Sequence, residues 1–300
     1  MYSIIALPRQ SVIAIRTTVL TTLVLGGLTL LGSPIKDDVF SFSTGSPDGK
    51  IGTASHPSGP GAIEVESADD FILSSSTLID HATITGLLPA GVKLKAIEGV
   101  AVELYRVFPN DSVDPPSGNV LSRVNSPADN AFDSRDSADK NLKFKADVLS
   151  DNFSVQNTVV NGIHPIPGQH TGGEGSASGQ EVLITITFKT PFELAAGHYF
   201  FKPSVDVTGA DFLWLSAPKP VIPIFAGDLQ SWIRDENLAP DWERIGTDVI
   251  GGATFNATFS LSGTSVPDSS NSVVLLGLSL AFLLAYRGQA TKHARSSSRV

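Results

Sequence analysis

An acidic stretch of this 300-residue chain has the residue types and spacing of a metal-binding loop. Oxygen-bearing side chains recur there every two or three residues, at Asp133, Asp136, Asp139 and Asn141. Calcium binds six to eight oxygen ligands from such loops, so one hypothesis is a calcium site. The spacing differs from that of an EF-hand, and Arg135 competes for the carboxylates. The alternative is a solvated acidic loop.

Two tryptophans form a second candidate site. Trp232 and Trp242 lie in polar, irregular sequence, QSWIRDE and PDWER. An aromatic face offers sugar rings an apolar platform with polar edges. We therefore consider this pair a candidate glycan-binding surface, with packing in the core as the alternative. Trp214, in the apolar stretch 212–215, is expected to pack in the core.

Motifs for other chemistry are weak. His164 and His170, with Glu174 nearby, could bind a metal, but their spacing is not that of a zinc site. The sequence contains no GxSxG, no HExxH and no phosphate-binding glycine loop that follows a strand. The absence of cysteine excludes disulfides and thiol nucleophiles. We therefore predict a non-enzymatic protein with no catalytic residues and no certain cofactor, calcium being the one candidate.

The charge distribution limits the partners. The formal net charge is -9, and the two ends of the chain carry several bases but only one acid, Asp268. The part between them is therefore more acidic than the whole. Such a body repels the phosphates of nucleic acids, whereas cations or neutral polymers such as polysaccharides are compatible with it.

The middle of the chain has the periodicity of β-strands. From Val182 to Phe188, the even positions are all apolar, whereas the odd positions are Leu183, Thr185 and Thr187. This alternation is typical of a strand with one buried face. Further strands are predicted at 39–42, 68–73, 80–87, 100–105, 144–150, 199–207, 212–216 and 255–261. The best candidate for a helix is the short segment 228–236, DLQSWIRDE.

Many strands with few helices between them favour an all-β fold. We predict a single domain over residues 34–264, a β-sandwich resembling a jelly roll. Two long insertions, 109–141 and 161–179, interrupt it. Loops of this length are commonly functional or mobile.

The first 33 residues have the pattern of a secretion signal. Arg9 and Arg16 precede an apolar run at 19–31. Thirteen residues suit the core of a signal peptide, whereas a helix that spans a membrane needs about 20. We predict a signal helix that is cleaved near Ser33; the alternative is an uncleaved membrane anchor.

Residues 265–300 form a tail in three parts. The motif Val266, Pro267, Asp268, Ser269 and Ser270 comes first, an apolar run at 273–286 follows, and a basic segment closes the chain. The apolar run is expected to form a helix. By the positive-inside rule the basic segment stays in the cytoplasm, so the body lies outside.

This tail resembles the PEP-CTERM class of bacterial sorting signals, and most closely its VPDSG variant. Val266 to Ser269 match the motif, and Ser270 replaces the final glycine. The resemblance implies recognition by an exosortase-like membrane protease near Val266–Pro267. It also implies delivery to the cell surface, outer envelope or extracellular matrix, with transient or permanent anchoring by the C-terminal helix; the alternative is a plain single-pass anchor.

The sequence thus predicts an exported, non-catalytic protein of the cell surface or extracellular matrix. The alternative is a carbohydrate-binding module, stabilised by calcium if the acidic stretch binds it.

Overall fold

A computed structural model of the chain describes residues 38–59, 61–161, 163, 166–218, 230–252 and 254–266. The predicted signal helix, the apolar C-terminal helix and the sorting motif beyond Val266 lie outside these residues. Within the described ranges, no helix is both long and apolar enough to cross a membrane.

The described part of the chain is mostly β-strand. Its strands are β1 (Asp38–Ser43), β2 (Ile51–Ala54), β3 (Val65–Leu73), β4 (Thr77–Pro89), β5 (Ile97–Arg106), β6 (Asp133–Asp136), β7 (Leu142–Val155), β8 (Asn157–Val159), β9 (Ala177–Leu194), β10 (Gly197–Val207), β11 (Leu213–Ala217), β12 (Trp232–Asp235), β13 (Glu243–Arg244), β14 (Asn256–Ala257) and β15 (Phe259–Ser265). A short 3-10 helix spans Leu94–Ala96, and a π-helical turn spans Ile245–Val249.

These strands form two sheets. The larger, nine-stranded sheet is organised around β4, which pairs with β9 on one side and with β15 and β11 on the other. It continues from β9 to β7, from β15 to β1, and from β11 to β2, β8 and β14. The smaller, six-stranded sheet has the order β13-β12-β3-β10-β5-β6. The predicted β-sandwich is confirmed.

The main core lies where the apolar faces of both sheets meet. Val182, Ile184 and Ile186 of β9 are fully buried there, as their alternation predicted. Leu104 of β5 and Phe201 of β10 join the same core from the smaller sheet. Burial of this apolar surface is the dominant favourable term in folding, and the chain has no disulfide to add to it.

The predicted helix at 228–236 is wrong where the structure describes it. Trp232 to Asp235 form the strand β12, which pairs with β3. Ile233 packs into one apolar cluster, whereas Trp232 packs into another on the opposite face. Because both faces of β12 are covered, its sequence lacks the alternation that identifies a half-exposed strand.

Candidate functional site

The candidate site lies on the face of the six-stranded sheet that points away from the main core, which we call the outer face. Side chains alternate across a strand, so the neighbours of core residues lie on this face. Phe200 and Lys202 flank the core residue Phe201, and Glu103 and Tyr105 flank Leu104. A cleft of about 330 Å³ opens here, lined by Glu64, Glu66, Glu103, Tyr105, Asp129, Asn130, Ala131, Arg234, Asp235, Glu236 and Ala239.

A buried lysine lies beneath the cleft. Only 2% of the Lys202 side chain is exposed, and its Nζ lies 3.3 Å from Glu64, 3.0 Å from Glu66 and 3.1 Å from Glu103. Burial alone would lower the pKa of Lys202, but the three carboxylates together raise it above its ordinary value. Lys202 therefore keeps its proton at neutral pH.

Arg234 of β12 is the second buried cation. Its Nε donates to Glu66, and its Nη1 donates to the backbone oxygen of Asp129 at 3.0 Å. The guanidinium carbon lies 4.4 Å from the ring centroid of Trp242, a cation–π contact. Burial would raise the pKa of Glu66, but attraction to Lys202 and Arg234 holds it below the ordinary value.

Tyr105 joins the carboxylates. Its hydroxyl lies 3.1 Å from Glu66 and 2.9 Å from Glu103, so its proton serves these two acceptors. Burial and the charge of Glu66 raise the pKa of Tyr105 far above its ordinary range. Tyr105 therefore stays protonated at neutral pH.

This arrangement defines what these groups can do. A general acid needs a carboxyl with a raised pKa, and a nucleophilic lysine needs a lowered one. Glu66 and Lys202 are shifted in the opposite directions. We call the cluster of Lys202, Arg234, Tyr105 and the three glutamates the outer-face network. Its cations and carboxylates are therefore fixed charges that pair with one another.

A second buried ion cluster holds the first predicted insertion on the outer face. Arg123 lies in the segment 107–132, and its guanidinium lies 3.0 Å from Asp129 and 2.7 Å from Asp241. All three side chains are almost fully buried. The same segment accepts a hydrogen bond from Trp242 Nε1 at the Ala128 oxygen, at 3.1 Å. The segment 107–132, which contains most of this insertion, is thus a cover over the sheet, whereas the rest of the predicted insertion contains the strand β6.

Two adjacent acids of β3 are also buried, on opposite faces. Asp69 accepts hydrogen bonds from the backbone N–H groups of Asp70 and Ala257. Asp70 lies 2.6 Å from Nε2 of His198. Burial raises the pKa of both carboxyls; the Asp70 charge adds to the rise for Asp69, and the contact with His198 opposes the rise for Asp70.

The predicted glycan-binding pair is wrong. Trp232 and Trp242 are both fully buried and pack with Ala68, Tyr105 and Phe200. Neither ring presents a face to solvent, so neither can stack on a sugar. The alternative, packing in a core, is what the structure has, because the segment 107–132 covers this side of the sheet.

The predicted calcium site is not formed either. Asp133 and Asp136 lie in β6, where Asp133 accepts from Arg135 and from the Ser134 backbone. Asn141 Oδ1 accepts from the Asp136 N–H at 2.6 Å, and Asp136 Oδ1 accepts from the Ala138 N–H at 2.8 Å. These oxygens close the turn between β6 and β7, and Asp139 lies exposed within it. Among the described residues, no group of three or more acids and histidines is placed to hold a metal.

The other predicted metal ligands, where the structure describes them, contact backbone groups. His170 Nδ1 lies 2.8 Å from the backbone oxygen of Asp248, and Glu174 accepts from the backbone N–H groups of Val160 and Asn161. His164 lies outside the described residues.

Sequence reasoning missed the outer-face network. Its one signal was a charged residue next to apolar ones: Lys202 follows two phenylalanines, whereas Glu66 lies among polar residues and gives no such signal. Buried charges are nearly always paired, so such positions predict a partner without naming it.

Comparisons of the chain with protein-family models, with curated proteins and with solved structures found no match.

Glu66 should make the stability of the domain depend on acid pH. Its folded-state pKa lies below the ordinary 4.5, so its contribution is complete above that pH and is lost as the pH falls through the folded value. We expect Glu66→Gln to lower the free energy of unfolding at pH 7 by about 1–3 kcal/mol, since a charged hydrogen-bond acceptor is lost. This deficit should shrink below pH 4.5 in urea unfolding experiments.

Glu64→Gln is the control, because its side chain is 38% exposed and the same lysine contact is weaker there. A deficit for Glu66→Gln that stays constant to the lowest pH would contradict the assignment.

Proposed function

We propose that this chain is an exported, non-catalytic β-sandwich protein of the cell surface or extracellular matrix, sorted by an exosortase-like membrane protease. The observation that carries the proposal is the position of the sorting motif relative to the folded body.

The motif begins where the sandwich ends. The last strand, β15, ends at Ser265, and Val266 is the first residue of the motif. The Val266 N–H donates to the Ser76 oxygen at 2.7 Å, and 38% of Val266 is exposed. Cleavage beyond Val266 would leave every described strand in place. This supports a tail that can be removed without loss of the fold.

The first strand supports the same organisation. β1 begins at Asp38, a few residues after the predicted cleavage near Ser33, so removal of the signal peptide also spares the described strands. Asp38 is paired with Ser265 across β1 and β15. The sequences before and after the body therefore leave it at neighbouring points. An anchor in either flanking sequence would therefore hold the domain at the same end.

The charges of the body indicate its surroundings. The formal net charge of -9 is compatible with a neutral or cation-bridged polysaccharide matrix, and it disfavours nucleic acid. The buried tryptophans remove the stacking surface on which the carbohydrate-binding alternative depended.

Expression of the full chain in a bacterium that has an exosortase tests the proposal. We expect the body in the surface or extracellular fraction, with a C-terminus at or near Val266 by mass spectrometry. Pro267→Ala should retain the tail and stay in the membrane fraction, because it alters the motif and leaves the described strands unchanged.

Ser265→Ala is the matched control, since this residue adjoins the motif without belonging to it. Its processing should equal that of the wild type. A full-length cytoplasmic product would overturn the proposal, and equal processing of Pro267→Ala would overturn the role of the motif.

A further inference from the structure

The strand β7 forms an edge of the nine-stranded sheet. Within the described part of the chain it pairs with β9 alone. It is long, from Leu142 to Val155, and its pairing with β9 is regular from Leu142 to Val148, where a bulge begins. An edge strand presents unpaired backbone N–H and C=O groups that can pair with another strand.

The register shows which backbone groups face outward. The Lys189 N–H donates to the Asn141 oxygen at 2.8 Å, so these opposed residues form a hydrogen-bonded pair. Such pairs alternate along an antiparallel ladder. The groups of Phe144, Ala146 and Val148 therefore point away from β9, toward the open edge.

The same three residues leave the core incompletely covered. Their partners on β9 are Ile186, Ile184 and Val182, which are fully buried in the main core. Phe144 and Ala146 pack against this core but are only partly buried, and Val148 is 37% exposed. A strand added beyond β7 would extend the core over them.

The charges on the opposite side of β7 are self-complementary. Lys145 and Asp147 are exposed there, and within one copy Lys145 Nζ lies 2.7 Å from Asp147. This ion pair is open to solvent, so both side chains remain accessible to a second copy. In an antiparallel pairing of β7 with itself centred on Ala146, each Lys145 lies opposite the Asp147 of the other copy. Centres at Phe144, Lys145 or Asp147 instead place lysine opposite lysine or aspartate opposite aspartate. Opposed charges of opposite sign stabilise a pair of strands, and like charges destabilise it.

We infer that β7 is a self-association surface, on which two copies of this chain join their nine-stranded sheets across a two-fold axis at Ala146. Phe144 then pairs with Val148 of the second copy, and Ala146 pairs with itself. Lysines on an edge strand, here Lys143 and Lys145, protect against such pairing. Asp147, two residues after Lys145, faces the lysine of a second copy in the inferred register. The edge therefore favours pairing with a second copy of this chain over pairing with other strands. The inference does not depend on the sorting of the chain.

Disulfide cross-linking of the full-length chain tests this geometry, because the sequence contains no cysteine of its own. In a hydrogen-bonded antiparallel pair the opposed Cα atoms lie about 5.5 Å apart, within the range that a disulfide spans. Ala146→Cys should therefore give a reducible dimer of twice the monomer mass upon mild oxidation.

Leu149→Cys is the matched control on the same strand. Leu149 is 54% exposed, so its thiol is accessible to solvent and to chance collisions. In the inferred register the two Leu149 residues are separated by six positions along the strands, about 20 Å. This variant should remain monomeric upon oxidation. Equal cross-linking of both variants, or of neither, would overturn the inference.

Charge variants in the Ala146→Cys background test the register. Lys145→Asp should lower the cross-linked fraction at least about threefold, since two attractive pairs become repulsive. Adding Asp147→Lys should restore it. A fraction insensitive to these changes would indicate another mode of association and overturn the inferred register.

A measurement without variants covers the case in which a cysteine variant does not fold. Copies labelled with ¹⁴N and ¹⁵N are mixed and treated with a zero-length carbodiimide. We expect peptides of mixed label that join Lys145 to Asp147. If these two residues join only within one label, the inference is wrong.

Discussion

Replacing Lys202 by methionine should lower the free energy of unfolding by about 3–5 kcal/mol, the usual cost of removing one partner from a buried ion pair. Methionine retains most of the side-chain length and removes the charge. Glu66 would then remain buried with Arg234 as its one cation, and Glu64 and Glu103 would lose their shared partner. Urea unfolding at pH 7 measures the loss.

Lys50→Met is the control for Lys202. Lys50 also contacts a carboxylate, that of Asp48 at 3.5 Å, but 63% of its side chain is exposed. The expected loss is below about 1 kcal/mol, because solvent screens such pairs. Adding Glu103→Gln to Lys202→Met should recover part of the stability, since it removes a carboxylate that has lost the cation 3.1 Å away. Equal losses for the two lysines would show that Lys202 is not the centre of the network.

The strand pattern could be predicted because one face of each central strand meets the core and the other does not. β9 shows this best: the residues from Val182 to Phe188 alternate in burial as they alternate in sequence. The period of two is a local property, so the sequence alone contains it. The sandwich followed from the number of such strands.

The candidate site could not be predicted, because its parts come together only through the tertiary fold. Glu66 and Arg234 are 168 residues apart in sequence, and Lys202 and Glu64 are 138 apart. A single sequence does not show that they share the outer face. Glu66 therefore has no recognisable partner in the sequence, although two cations lie buried beside it.

The prediction that two tryptophans form a glycan-binding surface failed for a related reason. Trp232 and Trp242 occur among charged residues, which usually indicates an exposed segment. Here the charges are buried as well: Arg234 pairs with Glu66, and Asp241 pairs with Arg123. The covering segment 107–132 converts an outer face into a second, polar core. Local polarity predicts exposure only where such a cover is absent.

That covering segment depends on Arg123. Arg123→Met should lower the free energy of unfolding by about 3–5 kcal/mol, because Asp129 and Asp241 would remain buried without their shared cation. The guanidinium also donates to the Pro127 oxygen at 3.0 Å, which holds the backbone of the segment itself. We therefore expect Arg123→Met to accelerate amide hydrogen exchange more in the segment 107–132 than in β9. Mass spectrometry measures the exchange.

Arg106→Met separates this effect from the loss of any arginine near the segment. Arg106 pairs with Asp111 of the same segment at 3.3 Å, but its side chain is about half exposed. Arg106→Met should lower the free energy of unfolding by less than about 1 kcal/mol and leave amide hydrogen exchange in 107–132 nearly unchanged. If Arg123→Met accelerates exchange equally in β9 and in the segment, the segment folds as one unit with the sandwich. If Arg123→Met changes neither stability nor exchange, the buried cluster does not hold the cover.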